Sequence, residues 1–373
     1  MTRYKTLAAI LLCGIAVFHI SAQPKYPKRA LVPAATKGIN GIGIRYGGYG
    51  SDLAYNPSDS TFWLLTDRGP NIDGPDSDSK IFPNPSFNPH IGVFRLYGDS
   101  LLLVKNIPLS DANGTPLNGL PLTDSDGGRA VNGERALDLD CRPLQGSIRG
   151  IDPEGLAIAS DGSFWISDEY GPLLIHFAPS GRLINAFSPS DGGLPPRYAR
   201  RRPNRGLEGL CINPDNGTLY GILQSPLQGS NKRVLPLFSR SADGELRDFD
   251  YPLSPEAQGV SALAVLNDST LLVLERDGKF PSRGKGFKRI FKATIPAHAK
   301  GGTLKKELWL DILQAVPGYC HDKVEGMALI GKHMIAIAND DDFGLSSDGG
   351  RPTAKYTPAG ITDRNEVIFL PLP

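Results

Sequence analysis

A chain of 373 residues with 40% hydrophobic and 21% charged residues is long enough to bury a large core and too apolar to be disordered. Lys and Arg number 40 against 39 Asp and Glu, which disfavours both a basic nucleic-acid binder and a strongly acidic chain. With 43 Gly and 32 Pro the chain is rich in turn formers, yet below the collagen or low-complexity range.

The N-terminus reads as a leader. Arg3 and Lys5 precede an apolar stretch from Leu7 to Ile20, too short to span a bilayer comfortably, and Ser21-Ala22-Gln23 offers a cut after Ala22. Residues 1–22 are therefore expected to be a secretory signal peptide. Residues 23–373 are expected to form one exported domain, periplasmic or secreted, with no membrane span. Cys13 leaves a lipoprotein as the alternative, but Leu12 stands where a lipobox wants a small residue. Cleavage removes two cations and no acid, taking the net charge from +1 to −1. Among the later cysteines, Cys211 sits in an apolar run and reads as core, a Cys141–Cys320 bridge is open, and no C-x-x-C spacing supports zinc.

Five segments then share one layout, a short apolar strand, a turn and a second apolar strand. The first strands begin at Asp52, Glu154, Glu208, Ser261 and Glu325. The second strands are Phe62–Leu65, Ser163–Ile166, Thr218–Gly221, Leu271–Leu274 and Met334–Ile337, with hairpin signals such as Asp161-Gly162 and Asp215-Asn216-Gly217 between them. From Glu154 onward the spacing is 53 to 64 residues, near the period of about 40–50 of a four-stranded propeller blade. The long gap from Asp52 to Glu154 holds either a degenerate blade or an insertion, and its stretch from Asp111 to Arg135 reads as loop. The terminal Val367–Leu370 run is suited to pair with Arg29–Val32 and close the ring. The expectation is all-β: a single β-propeller of five or six four-stranded blades. The competing reading is another all-β architecture with over-aligned repeats.

A propeller aims equivalent positions at one channel, where ligands usually sit. Four of the five first-position residues are acids: Asp52, Glu154, Glu208 and Glu325. Gathered carboxylates repel unless they share protons or hold a cation, and an oxygen-only set suits Ca²⁺ better than zinc. The blander alternative is that each acid caps backbone amides as a fixture of its blade. The second strands end in a further polar set, Asp67-Arg68, Asp168-Glu169, Gln224-Ser225, Glu275-Arg276 and Asn339-Asp340. Arg68, Arg205 and Arg276 are candidates to bind an anionic substrate bidentately, or else to neutralise channel acids. The Arg197–Arg205 run is better read as solvated loop, and His321 as a loop residue rather than a base.

At these residues a resemblance enters. Thr66-Asp67-Arg68-Gly69-Pro70-Asn71, Asp152-Pro153-Glu154-Gly155-Leu156-Ala157, Trp165-Ile166-Ser167-Asp168-Glu169-Tyr170-Gly171-Pro172, Asn204-Arg205-Gly206-Leu207-Glu208-Gly209-Leu210 and Val324-Glu325-Gly326-Met327-Ala328 with Asn339–Gly344 resemble the phytase-like family. That family, also described by an esterase-like activity of phytase, comprises exported bacterial propellers, and the resemblance covers about residues 40 to 370. It implies ester or phosphoester hydrolysis. Six-bladed propeller phytases use several Ca²⁺ ions, although their ligand motifs do not map onto this chain. Lactonase and phosphotriesterase propellers, which hold one calcium ion, suggest a runner-up chemistry.

Together these readings predict a calcium-dependent hydrolase of small anionic esters. Asp52, Glu154, Glu208 and Glu325 would hold the metal, Arg68, Arg205 and Arg276 the substrate, and Asp168 or Glu169 an attacking water. No G-x-S-x-G elbow, Walker loop or H-E-x-x-H motif offers another mechanism. A non-catalytic propeller binding a glycan or envelope partner, with Arg45–Tyr49 stacking on sugar, is the alternative from a different class.

Overall fold

The computed structural model describes residues 26–39, 41–125, 128–282 and 285–372. The expected leader and Cys13 lie outside them. The architecture is all-β, and among the described residues the only α-helix is the single turn Ile312–Ala315.

All five repeats form hairpins. The first strands are Asp52–Asn56, Pro153–Ile158, Leu207–Ile212, Gly259–Asn267 and Val324–Ile330. Each runs antiparallel to its second strand: Thr61–Leu65, Phe164–Asp168, Leu219–Leu223, Thr270–Arg276 and Met334–Asn339. Two further strands extend each hairpin, so that unit two, for example, reads Pro153–Ile158, Phe164–Asp168, Leu173–Phe177, Leu183–Phe187. The turns use residues that tolerate a left-handed backbone, as at Gly162 with φ 83° and Gly217 with φ 71°.

Alternation along each strand decides where the core sits. In Phe164-Trp165-Ile166, Phe164 and Ile166 are fully buried on one face while Trp165, on the other, packs half-buried against the next layer. Units one and two share a layer containing Leu65, Val93, Phe164 and Phe177. Further layers lie between two and three, three and four, four and five, and five and one. Each buried Phe or Leu there is worth about 1.5–3 kcal/mol, so the sheets are held face to face mainly by apolar contact. First strands of successive units touch one another, and the fifth touches the first.

The expected terminal pairing is present. Arg29–Leu31 is antiparallel to Glu366–Pro371, with Arg29 opposite Ile368 and Leu31 opposite Glu366. It is the outer strand of unit five, and Leu31 also meets Ser100 of unit one. The gap before Glu154 is an insertion: it contributes a small sheet of Ile72–Asp73, Ser79–Ile81 and Arg135–Leu137, while the first strands of units one and two touch directly.

Among the described residues the cysteines, Cys141, Cys211 and Cys320, are free. Cys211 is core, as expected, but the Cys141–Cys320 bridge is not formed: Cys141 is exposed on a loop and Cys320 lies with its Sγ 3.8 Å from His321.

Candidate functional site

The acids at the first-strand positions do not behave alike, and β-bulges explain why. Unit two has a register shift between Pro153 and Gly155, unit three between Leu207 and Leu210, and unit five between Val324 and Gly326. Each shift brackets the acid, Glu154, Glu208 or Glu325; a bulge bends its strand and re-aims the side chain it carries. Unit one keeps a regular ladder at Asp52. Its carboxylate is instead spent on backbone, with Oδ1 accepting from the Leu53 amide at 2.8 Å and Oδ2 from the Leu156 amide at 2.7 Å. Asp52 thus ties unit one to unit two, the arrangement of the fixture alternative.

The glycine after each of these glutamates is a packing requirement. A Cβ on Gly155 would stand 2.4 Å from the Glu208 carbonyl oxygen, and one on Gly326 would stand 2.8 Å from the Leu53 Cβ. Only a hydrogen there lets neighbouring first strands approach so closely.

Of the redirected side chains, Glu154 and Glu325 reach a cavity of about 670 Å³ that Arg68, Glu169, Arg205 and Arg276 also line, while Glu208 stays buried behind it. One oxygen of each of Asp152, Glu154 and Glu169 lies within 4.8 Å of the others. Burial pushes Glu169 up to about 8, with Asp152 adding repulsion. Burial and then the neighbouring Glu208 hold Glu154 well above the usual carboxylate range. Glu208 is likewise raised by burial and by Glu169; its Oε1 accepts from Gln224 Nε2 at 2.8 Å, while its buried Oε2 has no hydrogen-bond partner. The oxygen-only donor set suits a hard cation.

Three of the second-strand ends separate by alternation, whereas Asp67 and Arg68 of unit one both line the cavity. Glu169, Arg276 and Asp340 line the cavity, whereas Asp168, Glu275 and Asn339 do not. Asp168 accepts from the amides of Asp152 at 2.8 Å and Gly171 at 2.6 Å. These bonds shape the turn, and Glu169 is the member of the pair that lines the cavity.

The arginines differ too. Arg68 Nη1 lies 3.1 Å from Glu134 Oε1 and 3.4 Å from Asp152 Oδ2, and Arg276 pairs with Glu325. Both match the neutralising alternative. Arg205 donates to the Gln224 side-chain oxygen and has no carboxylate partner among the described residues. Lys323 bridges Asp340 at 3.2 Å and Asp342 at 2.5 Å, and Lys355 joins Asp322 at 2.9 Å to Asp342 at 2.7 Å.

Several residues escaped the sequence reading. Glu134 comes from a loop with no repeat signal; Asn204, which donates to it, was quoted only within a motif and given no role. Asp152 was visible only as part of a motif. His321 is no base: it is clamped between Asp363 at 2.6 Å and Glu366 at 2.7 Å, and those hydrogen bonds overcome burial to raise it to about 11. In the Arg45–Tyr49 segment, Tyr49 is buried edge-on against Phe94 and His90, which leaves only the half-buried Tyr46 ring for stacking. In the arginine run, Arg197 pairs with Asp248 at 2.7 Å and Asp250 at 2.5 Å rather than being solvated.

Comparison with known proteins adds the following. An uncharacterized secreted protein of Arthroderma benhamiae is 31% identical over 272 residues, 56% of this chain; the match spans about half of that protein, 51%. Among solved structures, a gluconolactonase from Xanthomonas campestris aligns over 93% of this chain and 99% of its own, at 12% identity and TM-score 0.42. A Lactobacillus plantarum protein has the same coverages and identity at TM-score 0.41. A virginiamycin B lyase from Staphylococcus aureus aligns over 89% and 86%, at 14% identity and TM-score 0.37. The family described as "Phytase-like: Esterase-like activity of phytase" matches residues 44–343, most of the chain, and the protein belongs to that family.

Proposed function

We propose that the protein is an exported hydrolase of ester or phosphoester bonds, a single five-bladed propeller over residues 23–373 with its site in the central cavity. The observation that carries this reading is the cluster of Asp152, Glu154 and Glu169 oxygens within 4.8 Å of one another, of which Glu154 and Glu169 line the cavity together with Arg205. Export is supported by the leader-like residues 1–22 and by the relative named as secreted. No described helix is long and apolar enough to cross a membrane.

Asp152, Glu154 and Glu169 would hold a cation such as Ca²⁺, with the unpartnered Glu208 Oε2 available beside them. Bound there, calcium would polarise an ester or phosphoryl oxygen and acidify water. The protein's own groups supply the rest. Arg205 binds the anionic part of the substrate. Arg68 and Arg276, already paired, fix the carboxylates around them. Glu169 orients the attacking water, and Asp168 holds the turn that presents Glu169.

Turnover of 4-nitrophenyl acetate, 4-nitrophenyl phosphate and a δ-lactone, each with millimolar calcium and with chelator, tests the reading. Turnover that needs calcium and falls about a hundredfold or more in Glu169→Gln is expected. Absence of turnover on every substrate overturns it.

A further inference from the structure

The cavity wall carries far more charge than it leaves open to a ligand. Six of its cations belong to described residues: Arg68, Lys80, Arg205, Arg276, Lys323 and Lys355. Five are already satisfied by carboxylates, Lys80 by Asp73 and the others as described above. Arg205 is the exception. A guanidinium without a carboxylate partner can offer a planar pair of donors to one incoming anion. A polyanion finds no second such group. Each additional phosphate would have to lose its hydration beside Asp67, Glu154 or Asp340, which also line the cavity, or break an existing ion pair.

The same wall is not wholly charged. Phe280 and Tyr356 line it, and Tyr356 is 54% exposed. Phe280 is half-buried and has the Lys355 ammonium 5.7 Å from its ring centroid. Aromatic rings standing open at a cavity are suited to a flat apolar group, which they can contact at little conformational cost.

We infer that the site takes a small ester bearing one anionic group, held by Arg205, and one flat apolar group seated against Phe280 and Tyr356, and that it discriminates against polyanionic esters. The inference rests on the proposed function in taking this cavity as the substrate site.

The test is calorimetric binding to the full-length exported protein in calcium buffer, with phenylphosphonate, methylphosphonate and myo-inositol hexakissulfate as probes. Phenylphosphonate should bind about tenfold more tightly than methylphosphonate. Phe280→Ala and Tyr356→Ala should each shrink that ratio, Arg205→Gln should weaken both phosphonates by a similar factor, and the hexakissulfate should bind no better than methylphosphonate. Tightest binding by the hexakissulfate, a ratio that neither ring substitution changes, or binding of none of the three overturns the inference. Circular dichroism of each variant separates lost contact from lost fold. Ester turnover without aryl preference would overturn this inference and leave the hydrolase reading intact. Aryl-selective binding with no turnover on any ester would do the reverse.

Discussion

Replacing His321 by Gln tests the ionic clasp at the junction of the chain termini. The imidazolium lies between Asp363, 2.6 Å away, and Glu366, 2.7 Å away, and is 4% exposed. Glu366 belongs to the C-terminal strand and is also bound at 2.7 Å by Arg29 of the N-terminal strand; Lys355 stands 3.3 Å from Asp363. Tyr319, Cys320 and Asp322 complete the surroundings. Breaking a buried pair by removing one partner costs about 3–5 kcal/mol, and the surviving Arg29 and Lys355 place the loss near the lower end. The pH dependence is the sharper readout. His321 is raised to about 11 in the folded protein, while an unfolded histidine titrates near 6.5. Its stabilisation is therefore fully present below about pH 6.5 and is lost as pH rises toward 11. In that window the folded state holds more protons than the unfolded state, so the stability this group contributes falls as pH rises. Urea unfolding followed by tryptophan fluorescence at pH 6, 8 and 9.5 gives the stability difference between wild type and His321→Gln. That difference should be largest at pH 6 and shrink steadily. A difference independent of pH would refute the argument.

Three other outcomes follow from the site. Gly155→Ala places a methyl 2.4 Å from the Glu208 carbonyl oxygen and should lower stability by about 1–3 kcal/mol, read as a fall in melting temperature. Asp52→Asn leaves one of two buried amides unmatched and should cost about 1–3 kcal/mol, with calcium stabilising variant and wild type equally. Glu208→Gln should do the opposite, reducing the calcium-dependent stabilisation, about 2.7 kcal/mol at a hundredfold excess over Kd, with little change in chelator. Equal calcium shifts in Glu208→Gln and wild type would remove Glu208 from the metal site.

The hairpins and their turns were legible in the sequence because each is written locally, and the pairing of Val367–Leu370 with the N-terminal strand because the repeat leaves an unmatched strand at each end of the chain. Two-residue alternation, Gly at left-handed turns and the recurrence of Glu-Gly need no knowledge of distant residues. The same locality made a cavity lined by carboxylates and arginines readable, and the family with it. Which acid faces that cavity was decided elsewhere. Asp52 and Glu154 occupy equivalent repeat positions, but only the second stands at a bulge, and a bulge is a property of two paired strands. Asp168 and Glu169 are adjacent, so alternation sends them apart, yet the amides of Asp152 and Gly171 determine which one is consumed by backbone. Glu134, Asn204 and the Lys323–Asp342–Lys355 chain arise where loops from distant parts of the chain converge. Charge on one segment finds its neutralising partner only when the tertiary fold brings the other segment to it. For that reason the residue types of the site could be read in one dimension, and the one cavity arginine left without a carboxylate only in three.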